Sequence, residues 1–281
     1  MRRAFKTIEY RLFRVLLCAL LALLLPAGSA GAVFYPEKSC DLFILLYHDL
    51  VDEKTAEGNP LFTTTAQRME ENLHFLLDSG YEPLSLAAYC DGEYEAGGKY
   101  FCITFDDGYL SNYTEAFPLL KRMGIPGDIF AVTDTVGRSN HFKYFHADEM
   151  EADGTVRIYS HSSAHSDLAT LTDDALRLDV QGAFEMLETR LAREDRHRLI
   201  AYPGGSYNES TIAILRECGA LLQFVQSVPD IPPTDLLKRY MVYYHSDMAA
   251  LLAEFEGDQP FALHEPQPKH AADDRARILA E

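Results

Sequence analysis

The residue pattern predicts an α/β barrel, parallel strands inside and helices outside. Short apolar runs alternate with amphipathic helical stretches from Leu42 to Val225, a rhythm that parallel strands joined by helices produce. At 281 residues and 47% hydrophobic content, the chain has material for one large core. Three apolar runs also end in acids or histidines, which a barrel would gather on one face because the carboxyl ends of its strands converge there.

The elements follow in order. Residues 42–47 (LFILLY) read as a buried strand, and Met69, Leu73, Leu76 and Leu77 share one helix face that ends before Gly80. Residues 100–105 form the next strand, and a helix carrying Ala116, Leu119, Leu120 and Met123 stops at Gly124. Strands are expected at 129–132 and 156–159. Leu176, Val180, Phe184 and Leu187 mark a long helix capped by Thr172 or Asp173. A strand over 199–202, a helix over 211–218 and a strand over 222–225 complete the alternation. The proline-rich stretch 229–233 is a loop within the same domain, since too few residues follow it for a second core.

Ahead of this pattern, Arg2, Arg3, Lys6, Arg11 and Arg14 precede an apolar run over 15–25 and then Ala30-Gly31-Ala32. A basic start, a short apolar run and small residues spaced for cleavage read as a signal peptide over residues 1–32, or as an N-terminal anchor if the segment stays attached. Residues 33–281 are then one extracytoplasmic domain, secreted or held in the cell envelope, and membrane contact is confined to that first segment. Loss of its net charge of +4 moves the chain from −18 to −22. Such a balance repels nucleic acid. A neutral polymer, or one that turns cationic as it is processed, suits the surface, and so does plain solubility. Cys40, Cys90, Cys102 and Cys218 show no C-x-x-C spacing, so free thiols and one disulfide both stay open.

The chemistry is expected where strands end. His48-Asp49 follows the first strand, Asp106-Asp107-Gly108 the second, and His161 and His165 come just after the strand over 156–159. Four residues apart, His161 and His165 on a helical turn would present both imidazoles to one point. With one carboxylate they make a His₂Asp set that leaves a position open for water or substrate, as catalytic zinc sites require. Two adjacent acids after an apolar strand are costly unless a cation receives them.

These segments resemble the motifs of the polysaccharide deacetylases, the enzymes of carbohydrate esterase family four. Thr104-Phe105-Asp106-Asp107-Gly108-Tyr109 is similar to the first motif, His161-Ser162-Ser163-Ala164-His165 to the second, and Ala201-Tyr202-Pro203-Gly204-Gly205 to the third. The resemblance implies a distorted (β/α) barrel and removal of N-acetyl groups from an N-acetylglucosamine polymer. It assigns Asp107, His161 and His165 to one divalent metal ion, for which mixed nitrogen and oxygen ligands suit zinc while cobalt, nickel or iron fit the same set, and makes Asp106 the base that takes a proton from the attacking water. Backbone N–H of Tyr109 is implied as an oxyanion donor, with Tyr202, Pro203 and Gly205 lining the substrate. The acid is His264, in a weak match to the family's Leu-x-His, or His48, as in the similar exported poly-β-1,6-N-acetylglucosamine deacetylases.

Departures from the family pattern matter as well. Ala201 stands where many relatives have an arginine paired with the base, and Lys238 or Arg239 is available to supply that charge. There is no tryptophan, so an aromatic wall for sugar rings falls to Tyr109, Tyr202 or Tyr207. Competing readings are a deacetylase acting on peptidoglycan, chitin or an O-acetylated polymer, and a carbohydrate-binding protein of the same fold without turnover.

Overall fold

Strict alternation along the strands decides which side chains fill the barrel and which meet the helices. In the computed structural model, which describes residues 39–191, 197–229 and 232–258, the strands along the main path of the large sheet are β1 (Asp41–Tyr47), β2 (Lys99–Asp107), β3 (Gly127–Ala131), β4 (Val156–Ser160), β5 (Leu199–Ala201), β6 (Leu222–Val225), β7 (Leu236–Lys238) and β8 (Tyr240–Met241). All pair in parallel, in the order β7-β6-β5-β4-β3-β2-β1-β8. Ile44, Cys102, Phe130, Tyr159, Ala201 and Phe224 share one buried cluster inside the barrel. Their neighbours Phe43, Leu45, Phe101, Ile103, Ile129 and Ile158 belong to the layer packed on helices.

Helices α1 (Ala66–Asp78), α2 (Phe117–Met123), α3 (Tyr144–Asp153), α4 (Asp173–Arg190), α5 (Glu209–Glu217) and α6 (Met248–Asp258) surround the sheet. Their starts are set by side chains that accept otherwise unpaired N–H groups: Thr65 for α1, Thr172 for α4 and Asn208 for α5. Gly124 ends α2 in the left-handed conformation, φ 68°. The sequence reading did not include α3, α6, β7 or β8. No helix among the described residues is long and apolar enough to cross a membrane, and among the described residues Cys40, Cys102 and Cys218 are free thiols. Residues 1–32 and His264 lie outside the described residues.

The sheet closes across a single residue. β7 pairs with β6 through Leu236↔Gln223 and Lys238↔Val225, whereas β8 pairs with β1 through Leu45↔Tyr240 and Leu46↔Met241. Arg239, between them, donates its N–H to the Val225 carbonyl at 2.7 Å and points inward, only 1% exposed. Its guanidinium grips Asp106 at both oxygens, 2.7 and 2.6 Å, and lies 5.0 Å from the Phe130 ring centroid. Lys238 faces the other way, toward Glu254 and Asp258. The charge expected from Lys238 or Arg239 therefore comes from Arg239.

At the opposite end, residues Leu86–Cys90 form a short helix whose first N–H, on Leu86, donates to Asp128 at 3.0 Å. The other Asp128 oxygen is buried without a hydrogen-bond partner. Burial pushes this carboxyl up to about 7, against the pull of that hydrogen bond and of Arg157.

Two outcomes follow. Breaking a buried ion pair by removing one member strands the other charge and costs about 3–5 kcal/mol. In urea unfolding, Arg239→Met is expected to lose stability of that order, and Arg239→Met with Asp106→Asn to recover most of it; equal losses in the single and double variants would contradict the pairing. For Asp128, a raised native pKa means the stabilisation is complete below the unfolded value of about 3.9 and is lost as pH rises through about 7. Asp128→Asn, isosteric with the neutral acid, should flatten the stability profile across that window and be the more stable protein at pH 8.

Candidate active site

Strand parity and one backbone turn bring the two acids to the barrel mouth. Asp106 continues the inward series of Cys102 and Thr104 and is 2% exposed. Asp107 would face the helices if β2 ran on, but its φ of 69° turns the chain and swings its carboxylate over the rim. There Oδ1 of Asp107 is 3.2 Å from Nε2 of His165 and 3.7 Å from Nε2 of His161. The second carboxylate, Asp106, lies 3.6 Å from the same His161 nitrogen.

The histidine segment is not the helical turn expected from its spacing. It is an irregular loop in which Ser162 and His165 both adopt positive φ, 68° and 57°. Asp179, on α4, holds this loop in shape by accepting the Ser163 N–H at 2.8 Å and the Ala164 N–H at 3.3 Å. Ser162 Oγ accepts the His165 N–H. Non-glycine residues in this region cost about 1–3 kcal/mol each and persist where the surroundings over-determine them. Sequence reading passed over Asp179, whose only signal is an acid on an otherwise amphipathic helix.

The donor set fits a metal ion. Ligand atoms of Asp107, His161 and His165 all lie within 4.8 Å of one another. Bond lengths near 2.0–2.2 Å in a tetrahedral shell imply ligand separations of roughly 3.4 Å, and the 3.2 and 3.7 Å from Asp107 Oδ1 to the two imidazole nitrogens lie close to that value. Nδ1 of His161 meets the Ala201 carbonyl at 2.9 Å; that contact assigns the proton to Nδ1 and leaves Nε2 a lone pair aimed at Asp107.

Electrostatics sorts the groups. Burial opposes the charge of Asp106, but Arg239 and His161 outweigh it and hold the carboxyl below its usual range. Burial likewise works against Asp107, yet the hydrogen bond from His165 and the nearby His161 and His48 bring it down to about 2. His161 is lowered by burial despite the two aspartates, which favours the neutral ligating form. His165 is raised, chiefly by its hydrogen bond to Asp107.

His48 follows β1 with inward parity and is close enough to Asp106, Asp107 and His165 to feel their charges; burial lowers its pKa. Its carbonyl accepts from Asn112 at 2.8 Å, and Phe62 contacts its ring. Tyr109 forms a β-bridge with His141. The two hydrogen bonds of that bridge, Leu110 N–H to Asn140 and Phe142 N–H to Gly108, flank Tyr109 and leave its own N–H outside the ladder. The Tyr109 phenol, pushed up to about 12 by burial and by Asp107 and Asp49, stays protonated.

The third motif divides. Pro203 and Gly205 form a tight turn after β5, with Gly205 at φ 72°. Tyr202 does not line the mouth: it is 1% exposed, its hydroxyl bonds Gln223, and its ring packs in the outer layer with Leu168, Ile200 and Ile212. Parity explains the difference, because Ala201 points inward and the next residue points out. Tyr207 is tied by its hydroxyl to the Ser227 carbonyl.

A polysaccharide deacetylase family model matches residues 93–222, a window holding Asp106, Asp107, His161 and His165 but neither His48 nor Arg239. YxkH of Bacillus subtilis (strain 168) is 29% identical over 186 residues, 65% of this chain and 63% of that protein. The poly-beta-1,6-N-acetyl-D-glucosamine N-deacetylase of Escherichia coli (strain K12) is 35% identical over 85 residues, 28% of this chain and 12% of that protein. The chain thus spans less than two thirds of either relative. Among solved structures, IcaB from Ammonifex degensii has the same fold, with a TM-score of 0.64 at 22% identity over 79% of this chain and 98% of that one. Fold, motifs and matches agree in likening the chain, over residues 93–222, to the polysaccharide deacetylases.

Proposed function

We propose that this protein is a metal-dependent hydrolase that removes N-acetyl groups from an N-acetylglucosamine polymer outside the cytoplasm, releasing acetate. The carrying observation is the convergence of Asp107, His161 and His165 within 4.8 Å, with the arginine-bound Asp106 on one side and His48 near both acids. The similarity to a poly-beta-1,6-N-acetyl-D-glucosamine N-deacetylase supports the choice of sugar, and the acidic charge of −18 suits a polymer that becomes cationic as acetyl groups leave.

A divalent ion, zinc for this ligand set, held by Asp107, His161 and His165 would polarise the acetyl carbonyl and make water nucleophilic near neutral pH. Asp106 is the proton acceptor for the attacking water. Arg239 keeps that carboxylate ionised and fixes both oxygens, so it is a base by charge and by orientation. The Tyr109 N–H, outside its ladder, donates to the oxygen that gains negative charge as the carbonyl carbon becomes tetrahedral. His48 gives a proton to the departing nitrogen, which would otherwise leave as an unstable amide anion. Asp106 and Asp107 favour its charged form, while burial makes it a readier donor than a solvated imidazole.

Acetate release should be measured on acetylated glucosamine polymers, peptidoglycan and chitin, before and after chelation and metal restoration. Asp107→Ala and His161→Ala are expected to lose turnover and metal together. Asp106→Asn and His48→Ala should keep the metal and lose about 10²–10⁴-fold in kcat; full activity in either would remove it from the scheme. Binding must also compete with the proton that Asp107 stabilises on His165. Affinity of the metal-free protein for zinc, followed by competition titration, should therefore rise about tenfold per pH unit below the His165 pKa and level off above it. A flat profile would exclude His165 as a ligand.

A further inference from the structure

Phe62 contacts the reactive histidine and also faces solvent. Its ring lies edge-on to His48, centroids 5.3 Å apart and planes at 75°, while 48% of Phe62 and 60% of Leu61 are exposed. The segment is pinned from both sides. Asp49 N–H donates to the Phe62 carbonyl, Tyr244 N–H donates to the Pro60 carbonyl, and Thr63–Thr64 pairs with Asp49–Leu50. A lone exposed phenylalanine needs no explanation; one held by three backbone anchors against a barrel-mouth histidine has a defined surface to offer.

The direction of the reaction says what meets that surface. His48 passes its proton to the amide nitrogen, and that nitrogen is carried by the sugar ring. The acetyl oxygen points the other way, toward Asp107, His161 and His165. A side chain beside His48 therefore meets the pyranose and not the acetyl methyl. The aromatic residues of the third motif do not compete for this place, since Tyr202 is buried and Tyr207 is tethered to Ser227.

We propose that Phe62 is the platform on which the pyranose bearing the scissile N-acetyl group packs its C–H face, making this residue a determinant of specificity for glycans over other acetyl compounds. The inference rests on the role of His48 in the preceding section. A phenyl ring supplies large apolar contact at low entropic cost and prefers defined orientations, so it selects a ring-shaped leaving group. Part of the residue contacts His48, and 48% of it stays exposed for such a contact.

The test compares the parent, Phe62→Ala and Phe62→Tyr on an N-acetylglucosamine oligomer and on a simple N-alkylacetamide with no sugar. Binding of the same oligomer to the metal-free proteins is measured by calorimetry. Phe62→Ala should lose about tenfold in kcat/KM on the oligomer, mainly through KM, and about tenfold in oligomer binding; its loss on the N-alkylacetamide should be several-fold smaller. Phe62→Tyr keeps the ring and should stay within about twofold of the parent. Equal losses on both substrates, or a shifted pH profile with unchanged oligomer binding, would mean that Phe62 merely seats His48, and would overturn the proposal. Parent turnover fully retained in Phe62→Ala would overturn it alone, whereas a parent that releases acetate from no glycan would bring down the functional reading beneath it.

Discussion

The contact between Arg239 and Asp106 is the constraint on which the rest depends. A carboxylate inside an apolar barrel is untenable without a partner, and the partner comes from the one residue that separates the two closing strands. Closure of the sheet and ionisation of Asp106 are therefore one event. The pair also fixes the carboxylate plane, and with it the distance to His161, so the electrostatics of the mouth is inherited from the way the sheet is completed.

Around this pair the backbone departs from regular structure where the chemistry needs it. Among the described residues, Asp107, Ser162 and His165 account for three of the four non-glycine residues with positive φ. Each redirects a side chain or a loop that strand alternation would send elsewhere. Asp179 and the Ala201 carbonyl supply the opposing hydrogen bonds, so the strain is balanced by the elements on either side of the barrel strands and the ligand atoms stay convergent.

Much of the fold was legible because the inner strands are unbroken apolar runs: residues 42–47 and 100–105 cannot be read otherwise. The acids and histidines at their ends were legible for the same reason, standing out against apolar neighbours. β7 and β8 were not, since they are three and two residues long and Lys238 and Arg239 interrupt their hydrophobic pattern. α3 was hidden by its mixture of acids and aromatics. The helical reading of residues 161–165 failed because i, i+4 spacing is shared by helices and by loops, and nothing in the residue types marks Ser162 or His165 as left-handed. Tyr202 was misassigned by motif likeness where parity alone would have turned it outward. Phe62 gave no signal, because a phenylalanine in a short turn is meaningful only once its neighbour is known.

The seam has a consequence for the order in which the molecule takes shape. Leu45 finds its neighbour Tyr240 nearly two hundred positions along the chain, so the first strand emerging from synthesis must wait for almost the last. Contacts of such sequence separation are entropically expensive to form early. Until they form, Asp106 has no guanidinium and keeps its water, which leaves the barrel mouth among the latest parts to become dry. The proposed site is thus completed in the closing moments of folding, and a chain stalled before residue 239 would carry Asp106, Asp107, His161 and His165 yet lack the guanidinium that holds the buried acid.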